Sequence, residues 1–440
     1  MSVVENTHIA KELDYKQVPS SYPSYVLSKL LPLSGSQTVT LTAAGGDQET
    51  LIEIPTKVFN LSQSTLVYNT TFAAQGIGLF AWSVLDTVSE IRQIQLYSRS
   101  GQFLCDLNNV QNYVQLVRKK ETPFDKYITY DEIDDLYRNN TLSAVGTAAG
   151  IRFDNTASSI HYTESQYLRV SAANTAATYY KQIKLSALMN TIFALDKDLY
   201  FPEVLVLRII WNGNKTGWQG NSGTNPSGAV AALAGNISIA NLSLFLAIEQ
   251  NQEIVNSLMA KVSTTMGLLI PYVYSYKSNI GPSTSQSVSI RLNRGHGITC
   301  KKIIHSLYSN TEASSNLMYD HDNINGVKAS DYYTLLDNVR IQQFTPLTST
   351  VRGEDYLLNA PLFKGSVLQN QNVYSFNWFH CDDFANSKLQ DDPNLVGGIQ
   401  LSTEKKWEIF ATTANLAFNH YTYIITQKEL KVSPTLISVV

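Results

Sequence analysis

A chain of 440 residues with 44% hydrophobic content and a mean hydropathy of -0.11 is long enough to bury two sandwich-sized cores. Its formal charge of -3 supplies no basic field for wrapping a nucleic acid, and its three widely spaced cysteines, Cys105, Cys300 and Cys381, include no CxxC pair and so argue against a disulfide scaffold or a zinc site. Charged residues make up only 16% while tyrosine reaches 25, a composition that suits β-rich domains with polar, uncharged surfaces made to pack against other protein copies.

Residues 1–29, with Pro19 and Pro23 in an SSYPSY run, show no apolar period and read as an extended N-terminal arm. The opening MSVVENTHIAKELDYK mixes acids and bases and has no continuous apolar stretch, so a secretory signal is not expected. No later run approaches the roughly 18 apolar residues a membrane span needs, and the expected site of synthesis is a reducing, cytosol-like compartment. The six N-x-S/T sequons, at Asn60, Asn69, Asn139, Asn214, Asn236 and Asn241, are then chance products of an Asn-, Ser- and Thr-rich chain. Strands begin at Gln37 with QTVTL, TLIEIP and STLVYNTTF, each bounded by turn-forming residues, at the short spacing of a sandwich.

The stretch EIRQIQLYS, Glu90 to Ser98, returns as CKKIIHSLYS, Cys300 to Ser309. After the first copy, Val110, Tyr113, Val114 and Val117 stand at i, i+3, i+4, i+7 and predict a helix. After the second, Tyr332, Leu335, Leu336 and Val339 stand at the same spacing and predict its counterpart. A repeated order of strand, loop and helix argues for one fold used twice, with Leu96 and Leu307 at equivalent places. A further helix is expected around Tyr130 to Tyr137, its Asp131, Glu132, Asp134 and Asp135 forming a solvated face.

Residues 139–178 and 212–230 are weakly patterned and read as long contact loops that order against neighbouring subunits or form an outward crown. Between them, FPEVLVLRIIW from Phe201 to Trp211 is apolar enough to be buried on both faces. ISIANLSLFLAIEQ closes the first half, and Val255, Leu258, Met259 and Val262 predict a helix crossing to the second. The expected division is an arm at 1–29, a first sandwich at 30–250 and a second at 251–440.

Chemistry is hard to place. His8, His161, His296, His305, His321, His380 and His420 are scattered, with no pair at metal-ligand spacing. His380-Cys381-Asp382-Asp383 is the densest polar knot, but adjacent residues on a strand point to opposite faces and cannot share a site. Asp320-His321-Asp322 reads as a turn, and the glycines around Gly220 and Gly223 lack a phosphate-loop lysine. Arg118, Lys119 and Lys120 complement the end of a helix dipole. No catalytic, cofactor-binding or metal residue is expected.

In its IEIPTKVFNLSQSTLVYN, FPEVLVLRIIWN, ISIANLSLFLAIEQ and WEIFATTANLAFNHYTYIITQKELKV segments, in that order, the chain resembles the double jelly-roll major capsid proteins of tailless icosahedral double-stranded DNA viruses, among them the nucleocytoplasmic large DNA viruses, virophages and polinton-like viruses. The resemblance implies a mainly β fold of two tandem eight-stranded antiparallel jelly-roll sandwiches with a few short helices. It also implies no enzymatic activity and a structural role in the virion, with homotrimeric, pseudohexameric capsomers tiling an icosahedral shell. Implied partners are its own copies, neighbouring capsomers, and penton and minor capsid proteins, without sequence-specific nucleic acid; an internal membrane is left open. A carbohydrate-binding β-sandwich adhesin or lectin is the alternative.

Overall fold

The computed structural model describes residues 23–33, 38–41, 48–72, 79–83, 91–121, 167–170, 177–211, 218–221, 230–231, 236–309, 331–344, 379–385 and 397–439. In chain order the first half contributes β1 (Tyr25–Leu30), β2 (Val39–Leu41), β3 (Gln48–Ile54), β4 (Phe59–Phe72), β5 (Leu79–Ser83), β6 (Ile91–Ser98), β7 (Phe103–Asn108), helix α1 (Val110–Glu121), β8 (Tyr167–Val170), β9 (Ala177–Lys184), β10 (Asp198–Leu199), β11 (Leu205–Trp211), β12 (Trp218–Asn221), β13 (Val230–Ala231) and β14 (Ile237–Glu249). The second half contributes α2 (Gln252–Ser263), β15 (Met266–Leu292), β16 (Thr299–Ser309), β17 (Asp331–Leu336), β18 (Val339–Phe344), β19 (Phe379–Asp383), β20 (Ile399–Gln400), β21 (Lys405–Val432) and β22 (Ile437–Val439).

Two antiparallel sheets form the first sandwich, in the orders β1-β14-β4-β9 and β3-β11-β6-β7. Taking its eight long strands in chain order, one sheet holds the first, eighth, third and sixth and the other the second, seventh, fourth and fifth, which is the jelly-roll order. The second half repeats it with fewer breaks. There β15 and β21 each run through both sheets, pairing at Met266–Ile280 with Phe418–Val432 and again at Ser285–Leu292 with Lys405–Thr412. Register shifts between Ile280 and Ser285 mark the bend from one sheet to the other. The near part of β15, the far part of β21, β16 and β19 make one sheet; the far part of β15, the near part of β21, β17 and β18 line the other.

This correspondence corrects the sequence reading of the repeat. Leu96 lies on β6, the fourth long strand of its sandwich, whereas Leu307 lies on β16, the third of the other. The fold is duplicated, but the Leu-Tyr-Ser echo does not mark equivalent strands. Nor is there a helix at Tyr332 to Val339. Those residues form the β17–β18 hairpin, because Asp337 and Asn338 take φ of 49° and 65° and make a two-residue turn whose twist suits paired strands. The expected arm is also too long at its C-terminal end, since from Tyr25 onward the chain is β1 and pairs with β14.

Other expectations stand nearer the structure. Helix α1 buries Val110, Tyr113, Val114 and Val117 as its spacing predicts. Helix α2 exists, but its buried stripe is Ile254, Leu258 and Val262, one position round from the expected face, and Met259 is exposed. In β11, Leu205, Leu207, Ile209 and Trp211 are fully buried while on the other face Val206 is buried and Arg208 and Ile210 are half-covered, so the second face is only partly enclosed. The segments taken for long loops contain β8, β12 and β13, which join β5 in a third sheet of order β13-β12-β5-β8. Phe72 pairs with both Ile237 and Ala177, and Trp211 with both Ile91 and Gln48, so the segments carrying these strands all leave from one end of the first sandwich. The sequence-predicted helix at 130–137, the Asp320-His321-Asp322 turn and residues 1–22 of the arm lie outside the described residues.

Candidate interaction surfaces and buried polar clusters

One hydrophobic core joins the two halves. Val110, Tyr113, Val114 and Val117 of α1 belong to the same buried cluster as Ile304 of β16, Cys381 of β19 and Tyr421, Tyr423 and Ile425 of β21. Tyr113 and Tyr423 meet with ring centroids 5.1 Å apart, and each keeps its hydroxyl satisfied: Tyr113 Oη donates to Met189 O at 2.9 Å and Tyr423 Oη to Asn109 O at 3.2 Å. The first half thus covers an outer sheet face of the second, on the side opposite that sandwich's own core of Ile303, Leu307, Trp407 and Ile424.

The matching sheet of the first sandwich ends in β1, which pairs with β14 on one side. Val26 and Leu27 are exposed on opposite faces of this strand, and Leu31 and Leu33 are exposed just beyond it. Apolar side chains at a strand edge with few charges are the kind of surface a soluble chain leaves open for a partner.

At the root of β1 lies a polar cluster. Tyr25 Oη donates to Asp198 Oδ1 at 2.8 Å, and Asn60 Nδ2 donates to Tyr25 Oη at 3.2 Å and to Asp196 Oδ1 at 3.0 Å. Ser24 N and Asn251 N both donate to Glu249 Oε1, at 2.8 and 2.7 Å. Burial, together with the charges of Glu249 and Asp196, pushes the Asp198 carboxyl up to about 6 despite the bond from Tyr25. Asp196 is held below the usual carboxylate range: burial would raise it, but hydrogen bonds from Asn60, Ser62 and Gln63 outweigh that. The sequon asparagine Asn60 is therefore buried structure.

The second sandwich encloses the histidines that look scattered in the sequence. On β19, His380 and Asp382 share the inner face and Cys381 the outer one, as strand alternation requires. Residues two apart can share a site, and His380 Nε2 lies 2.9 Å from Asp382 Oδ1, both fully buried. Trp407 Nε1 donates to Asp382 Oδ2 at 2.8 Å and Thr334 Oγ1 to Oδ1 at 3.2 Å. Burial would raise the Asp382 carboxyl, yet the His380 charge and these bonds hold it below its ordinary value. Beside it, His305 Nε2 lies 3.1 Å from His420 Nδ1, His305 Nδ1 lies 2.8 Å from Thr422 Oγ1, and His420 Nε2 lies 2.7 Å from Gln286 Oε1. Burial drives His305 well below the ordinary histidine value and His420 down to about 4.

Among the described residues no group of three or more His, Cys, Asp or Glu side chains is arranged to hold a metal ion. Cys105, Cys300 and Cys381 are buried thiols, and burial pushes Cys105 and Cys300 far up, away from nucleophilic reactivity. Sequence inspection singles out His380 and Asp382 but misses Thr334, Trp407, His305, His420 and Gln286. Their convergence depends on strand registers and on a bend in β15, and no spacing along the chain carries that signal.

No family model matches the sequence, and neither does any curated protein. Solved structures do match. The mavirus major capsid protein superposes with a TM-score of 0.54 at 9% identity, covering 99% of this chain and 93% of that one. The Faustovirus major capsid protein gives 0.52 at 9%, covering 98% and 94%. A chain of the Sputnik virophage cryo-EM structure gives 0.54 at 12%, covering 100% and 93%. The strand orders and these superpositions define one class of protein, a mainly β double jelly roll. More particularly, the fold is that of the mavirus and Faustovirus major capsid proteins over nearly their whole length.

Proposed function

We propose that this chain is a non-enzymatic major capsid protein that forms homotrimeric, pseudohexameric capsomers tiling the icosahedral shell of a double-stranded DNA virion. The observation that carries this reading is that one sandwich covers a sheet face of the other through α1, while the corresponding sheet of the first sandwich carries the exposed Val26 and Leu27. A second sandwich from another copy would meet that surface much as α1 meets β21, and three chains would then close a ring of six sandwiches. On this reading the boundary between sandwiches falls near residue 250, after β14, and the arm runs to Ser24. Penton and minor capsid proteins are further partners, sequence-specific nucleic acid is not, and the site of synthesis is the host cytoplasm.

The test is oligomeric state. Light scattering should give a trimer for the purified protein, and Val26→Asp with Leu27→Asp should give a monomer of unchanged circular dichroism. A wild-type monomer at micromolar concentration, with no shell in assembly conditions, would sink the proposal.

A further inference from the structure

We infer that the exposed edge of β1 is covered by the β18 edge of a second copy of this chain, a contact that deepens the trimer proposed above and depends on it. The same contact already exists inside one chain, where β7 lies along β15. Counted among the long strands, β7 and β18 are each the fifth of their sandwich, and β1 and the near part of β15 are each the first. A register shift aligns the two fifth strands residue by residue. Tyr97 pairs with Phe103 and Leu96 with Cys105, leaving Leu104 over; Leu335 pairs with Arg340 and Thr334 with Gln342, leaving Ile341 over. Arg340 thus stands where Phe103 stands, and Gln342 where Cys105 stands.

The contact within the chain has a direction. Cys105 of β7 and Val273 of β15 share one buried cluster, and burial, reinforced by Cys105 and Asp106, pushes the Tyr272 hydroxyl up. Just past β7, Asn109 O accepts from Tyr423, which pairs with Ser275. Going from Cys105 to Asn109 therefore follows β15 from Tyr272 toward Ser275, and the two strands run the same way. That edge of β15 is closed by the first half. The counterpart edge on β1 is open, with Val26 and Leu27 55% and 56% exposed. The counterpart of β7 is open too: Val339 is 70% exposed, and Asp337, Asn338 and Arg340 are exposed around it. Among the described strands, β1 and β18 each end their sheet.

The two open edges also match in charge. The Arg340 guanidinium lies over the Tyr333 ring at 4.4 Å and that ring stacks on Phe410 at 4.9 Å, which holds a cation in a fixed place on the surface. Running along β1 as β7 runs along β15, β18 carries Arg340 ahead of Gln342 and so toward the start of β1. There Asn60 bridges Tyr25 to the exposed Asp196, which is kept ionised by the hydrogen bonds described above, against its partial burial. Val339 meets the apolar side chains of β1, and Arg340 faces the Asp196 carboxylate. One edge meeting a different edge of the next copy is a head-to-tail contact, and three of them close a ring.

The test is cross-linking of the full chain carrying Leu27→Cys and Val339→Cys, the native Cys105, Cys300 and Cys381 being buried. Treating the purified protein with a flexible bismaleimide should give covalently linked dimers and trimers on a denaturing gel. Leu27→Cys with Leu436→Cys should stay monomeric on the gel, because Leu436 is exposed at the β21–β22 turn, on the sheet packed against the chain's own first half. A trimer by light scattering that gives no linked chains, or equal linking in both variants, overturns this contact and leaves the trimer standing. A wild-type monomer overturns both. If the cysteine variants do not assemble, charge reversal decides. Arg340→Glu should raise the dissociation constant of the trimer by about tenfold or more, while Lys431→Glu, on the sheet facing the first half, should leave it unchanged. Equal effects of the two reversals overturn the contact.

Discussion

Asp382 is fully buried and accepts bonds from Trp407, Thr334 and His380, so its removal would leave three polar groups facing an apolar core. Asp382→Ala should cost about 3–5 kcal/mol in denaturant unfolding, the loss typical of breaking one side of a buried charged pair. Trp407→Phe, which keeps an aromatic ring but removes the donor to Asp382 and leaves a void where the second ring of the indole lay, should cost about 2–4 kcal/mol. Asp198 tests the sign of a raised carboxyl. Its folded value near 6 exceeds the unfolded value of 3.8, so the folded state binds more protons between the two and stability falls as pH rises through that window. Asp198→Asn keeps an acceptor for Tyr25 and should be more stable than wild type at pH 7.5, by on the order of 1 kcal/mol, with the gain gone at pH 4. A melting temperature lower than wild type at pH 7.5 would show that the carboxylate is favourable there. At this scale the sequence reveals residue types but not meetings. His305 and His420 come together because Leu307 pairs with His420 and His305 with Thr422, a register the sequence does not state.

The β17–β18 hairpin shows why a correct period can still yield the wrong element. Tyr332, Leu335, Leu336 and Val339 satisfy helical spacing, but the intervening Asp337-Asn338 pair can take positive φ and reverse the chain, and strand partners on β21 were available to take the hydrogen bonds. Asp337 reinforces the turn, accepting from Lys406 N at 2.8 Å and lying 3.0 Å from Lys405 Nζ. Asn338→Gly should raise stability by about 0.5 kcal/mol, since glycine reaches φ of 65° without a Cβ penalty, and Asn338→Val should lower it by 1 kcal/mol or more. Urea midpoints would check both; equal midpoints for the Gly and Val variants would mean that the turn does not set the register. Helix α1, by contrast, was legible because its apolar positions have no turn-forming pair between them and its whole stripe is buried. The third sheet was not legible, because β12 and β13 are short and their segments are rich in Gly, Ser and Asn.

At the scale of the molecule, the jelly-roll duplication can be read from the order of strands, yet the Leu-Tyr-Ser echo falls on non-equivalent strands, since that triplet suits any half-buried strand. What the sequence hides most completely is that the two sandwiches share a core. Strand pairing never crosses from one half to the other among the described strands, so the coupling rests on side chains, with α1 meeting β21 at Tyr113 and Tyr423 and β7 lying along β15. A shared core of this kind predicts cooperative unfolding: calorimetry of the wild-type chain should give one transition in which both halves melt together. Tyr423→Ala removes the ring that meets Tyr113 and the hydroxyl that bonds Asn109 O, opening a cavity worth about 3–5 kcal/mol at the junction. Because that loss falls on the coupling and not within either sandwich's inner core, the variant should show two resolved transitions, the halves melting separately. A single transition merely shifted to lower temperature would mean that Tyr423 stabilises the second sandwich alone and that the coupling lies elsewhere, with β7 against β15 the next place to look.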